Sequence, residues 1–131
     1  MQNSYMVAYA DNLRFVMSKR LHDPTAATHK MITFPRFSFV TDVWLWVEEA
    51  GSDTGVTVGW SGNGETAQAA GFMSASLCDV GNTGLKRATS DNLQGTDGKY
   101  FNAAGGCLTC TVAVTHTTGK YWLFANYIII H

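Results

Sequence analysis

The chain has 131 residues, a net charge of −1, and 15% charged against 46% hydrophobic residues. That length suits one domain able to bury its own core without disulfides or metals. The near-neutral charge gives no field to draw in nucleic acid, the composition excludes a disordered chain, and no apolar run, the strand-sized Tyr127 to Ile130 included, approaches the roughly 18 residues of a membrane span.

Residues 1–28 hold no sustained period. Tyr5, Val7 and Tyr9 alternate briefly, and Leu13, Val16, Met17 and Leu21 are spaced for one face of a short helix over Asn12–Leu21. His22-Asp23-Pro24 ends any such helix, because the residue before proline avoids the helical region. Two readings stand for residues 1–27: an arm that orders on a partner surface, or a first strand packed on its own domain. Residues 1–36 carry five basic residues (Arg14, Lys19, Arg20, Lys30, Arg36) and two acidic ones (Asp11, Asp23), so this end is mildly positive and the remainder mildly negative.

From residue 28 the pattern is that of strands. THKMITFPRFSF alternates loosely, and Pro35, lacking an amide proton, marks an edge or a break. Residues 40–61 read as a hairpin: Val43, Leu45 and Val47 alternate with Trp44, Trp46 and Glu48, the turn formers of Gly51–Gly55 follow, and Val56 and Val58 alternate with Thr57 and Gly59. A turn at Ser61–Gly64, a helical turn over Glu65–Ala70 and a short strand over Phe72–Val80 come next. Residues 81–98 are loop-like in composition, with Leu85–Ala88 as a short strand inside them. After a short strand at Lys99–Ala103, Leu108, Cys110, Val112 and Val114 alternate with threonines and Ala113. Thr117–Gly119 turns the chain into YWLFANYIII, a second predicted hairpin. The apolar character of that last run on both faces predicts burial in the core or against another subunit. The expected architecture is an all-β antiparallel sandwich of jelly-roll type, residues 28–131, preceded by the 1–27 segment.

No catalytic constellation is present, and no enzyme activity or cofactor is expected. Cys107 and Cys110 form CxxC, but on a strand they point to opposite faces and no second ligand pair exists, so buried free thiols are expected rather than a metal or redox site. The odd count of three Cys, in a chain whose first residues lack a basic and apolar leader pattern, fits thiols kept reduced inside a cell. Of the four histidines only His116, six residues after Cys110, is closely spaced to another possible ligand, and with no second shell to support it no metal site is expected. Glu48 and Glu49 are adjacent, so on a strand they cannot share one substrate. Trp44 and Trp46 share a face, and with Trp60 they offer a platform for sugar rings if exposed, or core and interface packing if not.

The run VTDVWLWVEEA (40–50), then VTVGWSG (56–62), QAA (68–70), the Thr-rich strand 107–115 and the terminal Y-W-x-F-x-x-Y resembles a recurrent pattern in tailed-phage structural proteins, over roughly residues 38–130. The resemblance is to capsid decoration (cement) and other head-associated proteins. It implies a non-enzymatic, jelly-roll-like protein, often trimeric, assembled in the host cytoplasm onto the outer capsid surface of the virion. Its partners would be the major capsid protein and copies of itself, with no nucleic acid and no membrane. A tail, neck or head-fibre protein is the structural alternative, and a carbohydrate-binding module the alternative of another class. On the capsid reading the contacts fall to the N-terminal segment and the paired tryptophans: Tyr5, Tyr9, Arg14, Phe15, Lys19, Arg20, Trp44 and Trp46.

Overall fold

A computed structural model describes residues 13–62, 66–89, 97–102 and 104–130. Among these residues ten strands and one short helix follow in order: β1 (Leu13–Met17), β2 (Leu21–His22), β3 (Ala27–Phe34), β4 (Ser38–Glu49), β5 (Val56–Ser61), β6 (Gln68–Met73), α1 (Ala75–Cys78), β7 (Gly84–Arg87), β8 (Lys99–Tyr100), β9 (Gly106–Val112) and β10 (Lys120–Ile129). They form an antiparallel sandwich. One sheet has the order β1-β10-β4-β7, with β2 added on β10 and β8 on β4. The other has the order β3-β9-β5-β6. No described helix is long and apolar enough to cross a membrane.

The core lies between the sheets and is made by alternation. β4 and β10 send Val43, Leu45, Val47, Tyr121, Leu123 and Ala125 inward, and these meet Ile32, Phe34, Val56, Val58, Leu108, Cys110 and Val112 from the facing sheet. Phe34 fills one end, stacked on Phe101 at 5.6 Å and edge-on to Tyr127 at 5.4 Å. The alternation of β4 is not continuous, since Val40 and Val43 are both buried. A bulge accounts for it. Asp42 opposes Asn126 while Val40 opposes Tyr127, so Thr41 is an extra residue and bonds through Oγ1 to the Asn126 carbonyl at 3.3 Å.

Several sequence expectations are corrected by this architecture. Neither predicted hairpin forms. β4 and β5 lie in different sheets, as do β9 and β10, and each connection arches across the sandwich. A strand of a sandwich points its apolar residues at the same core whether the next strand pairs beside it or crosses opposite it, so periodicity fixes the strand and not its neighbour. The helix expected over Asn12–Leu21 is replaced by β1, whose backbone pairs with β10 from Leu13↔Ile128 to Met17↔Phe124. The helical turn expected over Glu65–Ala70 gives way to β6 from Gln68. The strand expected over Phe72–Val80 ends at Met73, where Ser74 caps α1 by accepting from the Leu77 amide at 3.3 Å. Pro35 does fall between two strands, and β3, which precedes it, is an edge. Of the 1–27 segment, residues 1–12 lie outside the described residues; from Leu13 onward it runs along the edge of the first sheet.

Candidate interaction surface

The outward face of the first sheet carries large apolar side chains where an exposed sheet would carry polar ones. The register sets them side by side. Trp46 opposes Trp122, Trp44 opposes Phe124, and Met17 opposes Phe124 from the other flank. The rings touch across strands. Phe15 stacks on Phe124 with centroids 5.9 Å apart and planes at 21°, and stands 6.5 Å from Trp44. Trp46 stacks on Trp122 at 6.1 Å and 22°. Leu85, across β4 on β7, opposes Trp46. Phe15, Trp44, Leu85 and Phe124 enclose a shallow groove of about 240 Å³. Phe15 is 65% exposed, Leu85 64%, Met17 54% and Leu13 46%.

Polar groups frame this face and fix its rings. The Arg87 guanidinium lies over the Trp44 ring, 5.6 Å from its centroid, and pairs with Asp42 at 2.5 Å. Trp122 Nε1 donates to Glu48 Oε1 at 2.8 Å, and Arg20 meets the other oxygen of Glu48 at 3.8 Å. Glu49 accepts from the Gly119 amide at 3.1 Å and pairs with Lys120 at 3.6 Å. Both adjacent carboxylates are thus occupied: Glu49 ties the end of the arch between β9 and β10 to β4, and Glu48 fixes the Trp122 indole and meets Arg20.

The expected contact residues divide. Phe15, Trp44 and Trp46 come together on this face. Arg14, one residue from Phe15 on β1, leaves by the opposite side of the strand. Lys19 and Arg20 lie in a bulge at the sheet edge, since Met17 opposes Phe124 and Leu21 opposes Tyr121, which sets Ser18, Lys19 and Arg20 against only Trp122 and Leu123. Tyr5 and Tyr9 lie outside the described residues. Sequence reasoning did not single out Leu13, Met17, Leu85, Trp122 or Phe124. The signal for the last two was present in YWLFA, where residues of both parities are large and apolar.

The remaining candidates are structural. Trp60 is buried, edge-on to Phe72 at 5.4 Å, with the Lys99 ammonium 4.8 Å from its ring centroid. A Cβ on Gly71 would lie 2.1 Å from the Trp60 ring, so glycine there makes room for the indole. Cys110 points into the core while Cys107 stands on the other face beside Thr33. His116 is buried edge-on to Tyr121 at 5.8 Å, its Nδ1 2.9 Å from the Val114 carbonyl. Among the described residues no group of three His, Cys, Asp or Glu is placed to hold a metal ion.

Three solved structures share this fold. The chain is similar to one in the cyanophage Pam1 capsid asymmetric unit, with a TM-score of 0.65 and 17% identity over 91% of this chain and 86% of that one. It is similar to a chain in the acidic stable capsid of Helicobacter pylori bacteriophage KHP30, with a TM-score of 0.62 and 14% identity over 89% and 87%. It is also similar to a chain of the Ralstonia phage GP4 capsid, with a TM-score of 0.64 and 15% identity over 91% and 85%. No protein-family model and no curated protein matches the sequence. At these identities the likeness is one of fold.

Proposed function

We propose that this is a structural virion protein, a decoration (cement) protein that binds the major capsid protein on the outer surface of a phage head and associates with copies of itself as a trimer. The observation that carries the reading is the aromatic outer face of the first sheet. A sheet whose inner side already packs a core has no folding requirement for Phe15, Trp44, Trp46, Leu85, Trp122 and Phe124 on its other side. Contiguous exposed apolar surface of this kind marks a protein contact. The fold shared with chains of three phage capsids supplies the setting. Two sheets with strand orders β1-β10-β4-β7 and β3-β9-β5-β6, in which the chain repeatedly changes sheet, support the jelly-roll class within that reading.

The carbohydrate-binding alternative is weaker on this surface. Trp60 is in the core, and three of the four side chains lining the groove, Phe15, Leu85 and Phe124, have no polar atom to orient a sugar hydroxyl. The test is addition of purified protein to phage heads assembled without it, comparing wild type with the double variant Phe15→Asp, Leu85→Asp. Both positions are largely exposed, so the variant is expected to fold while losing most head occupancy. Equal occupancy by the variant would remove this face from the contact. Absence of wild-type binding to heads, with labelled protein found on tails or necks by electron microscopy, would move the protein to that part of the virion.

A further inference from the structure

On the open side of the sandwich, the first edge of each sheet borders a cleft of about 610 Å³. One wall is the bulge and β2, with Lys19, Arg20 and Leu21; the other is β3, with Thr28, His29, Lys30 and Met31. Leu21 and Met31 are half-buried and pack on the core, giving an apolar floor. The bulge is fastened from behind: the Ser18 amide donates to the Leu123 carbonyl at 2.8 Å, and the Leu123 amide donates to Ser18 Oγ at 2.9 Å. Lys19 and Arg20 are thereby held at the rim, exposed. Among the described residues no acidic side chain lines the cleft, although the chain as a whole is negative by one charge. Glu48 reaches only Arg20, at 3.8 Å and with both groups partly in solvent, a geometry that contributes little.

The backbone adds a second observation. β3 is eight residues long and, among the described residues, ends its sheet, so one whole side of its peptide groups faces away from β9. An edge of that length is a template for a further strand. Lys30 sits fourth of the eight residues. Antiparallel pairing of two β3 edges centred on Lys30 would set two Lys30 side chains opposite each other, which disfavours a second copy in that register. A nucleic acid fits poorly, because among the described residues the lining has no tryptophan, tyrosine or phenylalanine to stack a base.

We propose that this cleft receives an extended acidic peptide segment of a partner protein, which adds a strand to the free edge of β3 and places its carboxylates beside Lys19, Arg20 and Lys30. Main-chain pairing would give affinity, and the basic rim would select the sign of the side chains. The inference stands on the cleft alone and does not depend on the capsid reading.

The test uses the full chain and a fluorescent twelve-residue peptide alternating Glu with Thr and Val. Controls are the same peptide with Lys for Glu, and one N-methylated at alternate amides so that it cannot pair. Expected results are binding of the Glu peptide, about tenfold weaker binding to Lys19→Glu, Lys30→Glu with an unchanged melting temperature, failure of both control peptides, and slowed hydrogen exchange at the β3 amides that face away from β9. Any one of four results would overturn the proposal: no Glu-peptide binding at millimolar concentration, equal binding by either control, equal affinity for the double variant, or β3 amides already protected in the isolated protein by its own N-terminal segment or a second copy. Displacement of the peptide by a single-stranded oligonucleotide at lower concentration would do the same.

Discussion

Three buried groups give this protein an alkaline limit. Burial pushes the Cys110 thiol up to about 12, and holds the Cys78 thiol and the Tyr121 phenol well above their ordinary ranges. In the folded state all three keep their protons, whereas the unfolded thiols release theirs near 9. Above that pH the unfolded state binds fewer protons, so stability that is complete below about 9 is lost as pH rises towards the folded values. The slope is about 1.4 kcal/mol per pH unit for each group once its unfolded form is ionised. Urea midpoints measured from pH 8 to 11 are expected to be level at first and then to fall; a midpoint constant to pH 11 would show that these thiols are not enclosed. In the same window only Cys107, partly exposed, is expected to react with a thiol reagent in the folded protein. Sequence spacing already separated Cys107 from Cys110 by face. It gave no sign that Cys78 is a core residue, because the surrounding FMSASLCDV lacks any clear period and Cys78 is placed by α1.

At the scale of elements, the strands were legible and their neighbours were not. VWLWV and CLTCTV show their burial by alternation, and both form strands there. The turn formers of Gly51–Gly55 were read as a hairpin turn, but they build an arch: the Gly51 amide donates to the Val80 carbonyl at 2.8 Å and the Ser52 amide to the Thr118 carbonyl at 3.1 Å. Gly51 is needed for close approach, since a Cβ there would lie 1.9 Å from the Tyr121 hydroxyl. That contact joins residues seventy positions apart, and no local pattern announces it. The aromatic face was half legible for the same reason. Trp44 and Trp46 stood out on one strand, whereas Phe15 and Leu85 join them only through register with β10 and β4. Register also decides what truncation does. Deleting residues 1–12 spares every described strand, so that truncation is the reference against which the loss of β1 is measured. Deleting residues 1–27 removes β1 and β2, strips one flank of β10 and uncovers Leu123, so the melting temperature is expected to fall by several degrees, consistent with loss of a few kcal/mol of edge pairing and burial. Equal melting temperatures for the two truncations would mean that β1 is only loosely attached, as an arm would be.

For the molecule as a whole, the two sides of the first sheet have different tasks. β10 shows this most directly: Tyr121, Leu123 and Ala125 are spent on the core, while Trp122 and Phe124 face outward on the same strand. The outward residues of β1, β10, β4 and β7 together expose a contiguous apolar patch on one face of the sandwich, the kind of surface that marks a protein contact. Such a patch supports association best when symmetry repeats it, because a closed ring forms several such contacts at once. On the proposed trimeric assembly, the protein alone in reducing buffer is expected to show, by light scattering, a mass three times that of the 14.3 kDa chain. Phe15→Asp, Leu85→Asp is expected to reduce it to the single-chain mass without lowering the melting temperature, because neither side chain contributes to the core. Concentration dependence distinguishes the outcomes further. A trimer that dissociates on dilution, and does so at higher concentration for the variant, would assign the aromatic face to self-association. A wild-type monomer at every concentration would remove the trimer from the proposed function and leave the face to the capsid protein alone, to be read from head occupancy.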